Sequence, residues 1–209
     1  MSCDALPMTA YNLALWAGAT AALPVGLPVM LLHEKRRRTV PYRLGLKTPP
    51  SAGSPAGLRP VDPKPIWVHA LSVGEVHYAV SLLYGFRYQF PEDELFFTTT
   101  SETGQEVARE RLAGANCRFY YLPLDLWWIV RRTVKTVGAS LFVLVETDLW
   151  PNLLWCLARE GTPVVLVNGR ISDRSFPRYH LGRRFISEVF NRIDVLCMQS
   201  EEDGRRMGM

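Results

Sequence analysis

The sequence predicts an α/β fold: a Rossmann-like parallel sheet with helices on both faces. Three observations predict it. Six short, nearly continuous apolar runs recur between residues 66 and 198. Segments of helical character lie between them, and polar or ionisable residues gather directly after the runs rather than within them. Strands that are apolar on both sides belong to a sheet covered on both faces, and strands alternating with helices pair in parallel.

The elements follow in chain order. No residue from 5 to 32 is charged, a run of 28, and a basic cluster begins directly after it. About 20 apolar residues span a bilayer as a helix. Residues 1–34 are therefore expected to form a membrane anchor, with Pro24 and Pro28 able to kink the helix or let it enter only part way; the alternative is a buried helical hairpin of a soluble domain. The positive charges follow the apolar run instead of preceding it, which argues against a cleaved signal peptide. Positive-inside bias then puts the remainder of the chain in the cytoplasm. Residues 35–64 are expected to be a basic juxtamembrane segment and linker, because residues 48–65 hold six prolines with Gly and Ser. The folded domain is expected over 65–209. Its strands are predicted at 66–71, 95–99, 118–122, 141–145, 164–167 and 195–198, and its helices at 75–89, 102–113, 125–137, 150–160 and 179–192.

Composition narrows the function. The chain of 209 residues is 48% hydrophobic, enough for a packed core. Its net charge of +4 is local: residues 33–48 carry +5, from Lys35, Arg36, Arg37, Arg38, Arg43 and Lys47 against Glu34. A nucleic-acid-binding domain would spread Lys and Arg over a face of the folded body, so that class is excluded. Cys3, Cys117, Cys156 and Cys197 stand far apart with no CxxC, which disfavours a metal site or a disulfide framework. GxGxxG, GxxxxGK[ST] and GxSxG are all missing, so nicotinamide, P-loop and acyl-transfer chemistry have no motif and no cofactor is expected.

Ligands of open α/β sheets bind beyond the carboxyl ends of the strands. Two acids stand there. Glu75 follows the first strand and opens a helix, where the macrodipole alone favours a carboxylate; Gly74 permits a tight turn before it. Glu146 ends the fourth strand, where a buried apolar run would normally avoid charge. Two carboxylates at one mouth let one act as base while the other stabilises charge. His69, within the first strand, reads as a packed core histidine. Asp125 and Asp148 read equally as caps of the helices that follow them. Arg170, with Arg174 and Arg178 beyond it, is either a site for a phosphorylated ligand or a solvated basic face.

Taken together and in register, the strand-end residues resemble the 3-deoxy-D-manno-octulosonic acid (Kdo) transferases of lipid A biosynthesis. The pieces are His69-Ala70-Leu71-Ser72-Val73-Gly74-Glu75, Thr98-Thr99-Thr100 with Thr103-Gly104, and Tyr121-Leu122-Pro123-Leu124-Asp125. They continue with Glu146-Thr147-Asp148-Leu149-Trp150-Pro151-Asn152, Asn168-Gly169-Arg170-Ile171-Ser172 and Gln199-Ser200-Glu201-Glu202-Asp203. The resemblance implies a GT-B glycosyltransferase. This chain would be the N-terminal half, which faces the lipid acceptor, and a C-terminal half would bind CMP-Kdo. It implies transfer of Kdo from CMP-Kdo to the lipid A precursor (lipid IVA) at the inner membrane, without a metal. Glu75 would be the catalytic base and Glu146 the group that stabilises the transition state. Ser72, Val73, Gly74 and Arg170 would line the acceptor side. Asp148 and Gly169 stand where the family more often has Glu and Ala. The donor domain is expected to be absent, since the chain ends at Met209 where it would begin, and no turnover is expected without it. The alternatives are a non-catalytic lipid-binding module or inactive fragment, and a glycosyltransferase of the same architecture with another acceptor.

Overall fold

The structure, a computed structural model, describes residues 5–32, 34–50, 64–173 and 175–208. Two helices come first, α1 (Ala5–Leu32) and α2 (Glu34–Arg43). The α/β body follows as β1 (Ile66–His69), α3 (Val73–Gln89), β2 (Leu95–Thr99), α4 (Glu102–Arg111), β3 (Cys117–Tyr121) and α5 (Trp127–Val137). It continues as β4 (Leu141–Val145), α6 (Pro151–Arg159), β5 (Val164–Gly169), α7 (Phe176–Leu181), α8 (Arg183–Phe190), β6 (Val195–Met198) and α9 (Glu201–Met207).

All six strands are parallel, in the order β3-β2-β1-β4-β5-β6. The chain winds outward from β1 in one direction and from β4 in the other. The order therefore reverses between β1 and β4, the switch point at which a doubly wound sheet opens a crevice. Alternation within the strands feeds two cores, one per face. Trp67, Phe96, Tyr120, Phe142 and Leu144 pack on one side with α5 and α6. Val68, Phe97, Val143 and Val145 pack on the other with α3. Trp67 is anchored by more than area, because its indole N–H donates to Thr98 Oγ1 at 2.8 Å.

Four expectations need correction. The strand expected at 66–71 stops at His69, because Ala70 and Leu71 lead into the α3 cap. The helix expected at 179–192 is two, broken at Gly182. The strand at 195–198 is an edge, with Val195, Leu196 and Cys197 exposed, rather than a strand buried on both faces.

The membrane-anchor helix is the largest correction. Among the described residues no helix is long and apolar enough to cross a membrane. Residues 5–32 are helical, but Ala, Gly and Thr dilute the segment and Pro24 and Pro28 lie inside it. Its polar groups also have partners on the body. Tyr11 Oη donates to Asp125 Oδ2 at 2.9 Å, the Asn12 and Asn152 amides exchange hydrogen bonds, and Trp16 stacks on Trp128.

Of the expected basic segment and linker, residues 51–63 lie outside the described residues. The part before them is strapped to the body. Leu124 N–H donates to Arg43 O, Tyr120 Oη to Lys47 O, Arg132 to Thr48 Oγ1 and Arg118 to Pro50 O.

Candidate active site at the carboxyl edge

The β1 end is built by its own turn. Ser72 is the N-cap of α3, and its Oγ accepts the Glu75 N–H at 3.3 Å. Glu75 answers: Oε1 accepts the Ser72 hydroxyl at 2.9 Å and Oε2 accepts the Leu71 N–H at 2.6 Å. This is a variant of the capping box: the Ser accepts the Glu N–H, while the Glu answers on the Ser hydroxyl and on the N–H of the residue before the cap. Glu75 is thereby 7% exposed and held in one orientation at the mouth. Gly74 is not needed for the turn: an added Cβ would meet only Ser72 Oγ, at 3.8 Å.

The β4 end is built by other segments. Glu146 has φ 62°, in the left-handed region, although it is not glycine. Such a residue costs on the order of 1 kcal/mol and persists only where its surroundings over-determine it. Here they do. Glu146 N–H donates to Val167 O at 2.9 Å, and Thr147 Oγ1 accepts the Arg170 N–H at 2.8 Å. Asp148 Oδ2 accepts the Trp150 indole N–H at 2.7 Å. Asn168, at φ 58°, reaches Glu146 Oε1 at 3.5 Å and is itself held by Gln199 at 2.8 Å.

Asp125 fixes the next stretch from a distance. It does not cap α5, whose N-cap Leu126 has no side-chain bond. Its carboxylate instead accepts Asn152 N–H at 2.9 Å and Leu153 N–H at 3.0 Å, capping α6, and takes the Tyr11 hydroxyl as a third donor. Burial is the main reason its carboxyl is pushed up to about 6, against the lowering effect of those three donors. Asp148 does not cap a helix either; it serves Trp150.

An open cleft of about 370 Å³ results, lined by Leu71, Glu75, Glu146, Thr147, Asp148, Arg170, Ser172, Ser175 and Tyr179. Burial raises the Glu146 carboxyl first, and the Glu75 charge raises it further, while Arg170 pulls it down. The two acids and the arginine thus sit within electrical reach of one another. Of the residues expected from sequence, Glu75, Glu146 and Arg170 meet in this cleft. Ser72, Val73 and Gly74 form the first turn of α3 beside it and do not line it. The arrangement offers one oriented carboxylate to accept a proton, a second to stabilise developing positive charge, and a cation for an anionic ligand.

Sequence reasoning quoted Ser200, Glu202 and Asp203 in a family-like stretch but gave them no role, and it passed over Arg206. Asp203 Oδ1 accepts Ile171 N–H at 2.8 Å, and Arg206 donates to Ile171 O at 2.9 Å while pairing with Asp173 and Glu202. Together they fix the β5 loop that carries Arg170. The signal was present: Ser200 and Asp203 make the same cap-and-answer pair that marks α3. Among the described residues no group of three or more His, Cys, Asp or Glu side chains is placed to hold a metal ion.

Comparison with known proteins matches residues 37–209 to the family 3-Deoxy-D-manno-octulosonic-acid transferase (kdotransferase). The chain is 32% identical over 189 residues to a 3-deoxy-D-manno-octulosonic acid transferase of Chlamydophila psittaci, covering 88% of this chain and 42% of that protein. It is 35% identical over 144 residues to the Haemophilus influenzae protein of the same name, covering 69% and 34%. It is 30% identical over 196 residues to that of Chlamydia pneumoniae, covering 94% and 43%. The chain thus spans less than half the length of these relatives. With its strand-end acids, its doubly wound sheet and a family match running from Arg37 to the last residue, the chain belongs to the 3-deoxy-D-manno-octulosonic-acid transferase family.

Proposed function

We propose that this chain is the acceptor-side half of a GT-B Kdo transferase that moves Kdo from CMP-Kdo to the lipid A precursor lipid IVA at the cytoplasmic face of the inner membrane. The observation that carries the reading is the meeting of Glu75 and Glu146, with Arg170, at the switch point of the sheet.

In this reading Glu75 is the base. Its two hydrogen bonds orient the carboxylate and leave lone pairs free toward the cleft. It takes the proton of the acceptor hydroxyl as that oxygen bonds to the anomeric carbon of Kdo, and CMP departs with the electrons of the broken bond. Glu146 faces the positive charge that develops at the anomeric centre. Arg170 attracts the phosphate groups of the acceptor. The donor is held by a second domain.

The test is transfer of Kdo from CMP-Kdo to lipid IVA in detergent, with this chain alone and with a supplied C-terminal donor half. Product only in the presence of that half supports the proposal. Lipid IVA binding without product in either case overturns it in favour of a binding module.

A further inference from the structure

A second cavity, of about 370 Å³, lies beside the cleft and is walled by α7, α8, β6 and α9. Its floor is apolar: Ile171, Phe190 and Ile193 are buried, and Phe176, Ile186 and Met207 are partly so. Its rim is polar and exposed, with Arg183, Ser187 and Asn191.

Cleft and cavity share a wall. Arg170, Ser172 and Ser175 line the cleft, Ile171 and Phe176 line the cavity, and Tyr179 lines both. Successive side chains of extended backbone point to opposite sides, so the stretch after β5 serves two compartments at once. The wall is braced from the cavity side. The Tyr179 ring stands edge-on to Phe190 with centroids 6.3 Å apart, and the Arg206 guanidinium lies over the Phe176 ring at 5.5 Å. Arg206 is already committed to Ile171 O, Asp173 and Glu202. Arg183 is not: among the described residues its guanidinium has no ion-pair partner.

A charged compartment and one with an apolar floor, separated by a single side chain, suit a ligand that is itself divided. Water on an apolar floor is unfavourable, and an alkyl chain laid there removes that cost. The volume is more than twice the roughly 150 Å³ that accepts a benzene-sized guest, so it has room for about ten chain carbons. A peptide strand would instead bring backbone N–H and C=O groups that the side chains of Ile171, Phe190 and Ile193 cannot pair.

We propose that the cavity holds an alkyl chain of an anionic amphiphile whose head group sits in the cleft. The chain passes over Tyr179, with Arg170 on the head group and Arg183 at the rim. That this amphiphile is the acceptor, and the chain one of its acyl chains, rests on the function proposed above; chain binding itself does not.

The experiment measures binding of n-alkyl phosphates to this chain by calorimetry, below their micelle concentrations, with inorganic phosphate as the head group alone. Affinity should rise about fourfold for each methylene from hexyl to decyl phosphate, the increment for burying one CH₂. Inorganic phosphate should bind at least about 10²-fold more weakly than decyl phosphate. Ser187→Trp sets an indole over the rim, and Leu196→Glu adds a carboxylate to the lining. Both positions are exposed, so the fold should tolerate either change. Each should weaken decyl phosphate about tenfold or more. Arg170→Gln should weaken the whole series by a common factor. Affinity independent of chain length, or decyl phosphate binding unchanged in both cavity variants, overturns the proposal. So does an Arg170→Gln chain that binds decyl phosphate like the wild type, since the head group would then lie outside the cleft. Displacement of decyl phosphate by a supplied donor half would make the cavity an interface between the halves, and overturns it as well. Neither Kdo nor transfer enters these readouts. Chain-dependent binding without transfer would overturn the proposed function and leave the cavity assignment standing; transfer without chain-dependent binding would do the reverse.

Discussion

The two strand ends at the centre of the sheet each present a glutamate to one cleft, and they are built by opposite means. At the end of β1, Glu75 is held by Ser72 and Leu71, three and four residues away, within a regular helix turn. At the end of β4, Glu146 stands in left-handed backbone, and its loop is held by Val167 and Asn168 of the next strand, by Arg170 just beyond it and by Asp148 against Trp150. The helices behind them differ in the same way. The α3 terminus is capped by its own residues, whereas α6 is capped by Asp125, 27 residues upstream of Asn152. A site can thus combine one acid whose geometry is local with another whose geometry is wholly tertiary.

The largest expected effect separates the roles of the two acids. With a donor half supplied, Glu75→Gln should lower transfer by about 10²–10⁴-fold, the usual contribution of a general base. Glu146→Gln should lower it by on the order of 10²-fold, as for loss of one electrostatic stabiliser. Steady-state rates at saturating acceptor measure both. A Glu75→Gln enzyme that keeps its rate would reduce Glu75 to a helix cap.

The remote cap should show itself in the pH dependence of stability. The Asp125 carboxyl is raised from 3.8 to about 6 in the fold, so the native state holds its proton where the unfolded chain has lost it. The associated stability is fully present below 3.8 and is lost as pH rises through about 6, by up to about 3 kcal/mol. Denaturant unfolding from pH 4 to 7 should show this decline, and Asp125→Asn should flatten it. Unfolding that is flat over that range in the wild type would contradict the burial argument.

The local cap is worth less. Ser72→Ala should cost about 1 kcal/mol, seen as a fall of a few degrees in Tm. Tyr11→Phe should cost a similar amount, about 1 kcal/mol, by removing one donor from Asp125. Its loss should also alter the pH profile, whereas that of Ser72 should not.

The smallest effect has the opposite sign. Glu146→Gly should stabilise the fold by roughly 0.5–1 kcal/mol, because glycine occupies the left-handed region without strain. Transfer should fall in the same variant. A loss of stability would show that contacts of the Glu146 side chain outweigh the backbone cost.

Legibility in the sequence followed the range of the forces involved. The strands were readable because residues 66–69, 95–99 and 141–145 are apolar at nearly every position, as burial on two faces requires. The acid at the start of α3 was readable because a carboxylate is favoured in the first turn of a helix that follows a strand. The break at Gly182 and the edge character of β6 were not, since each depends on what packs alongside. The run from residue 5 to 32 misled for the same reason. An uncharged stretch reads as a membrane span until Tyr11 and Asn12 are seen bonding to Asp125 and Asn152, far along the chain.

The sequence by itself determined the alternation of strand and helix, the polar edge of the sheet and the capped position of Glu75. All three follow from side-chain periodicity and hydrogen bonding within a turn. Only the tertiary structure decided that β1 and β4 lie side by side, that Glu146 adopts a strained backbone facing Glu75, and that Asp125 serves α6 rather than α5. Those depend on which distant segments supply the donors and acceptors a buried polar group requires, and no local pattern of residues encodes that choice.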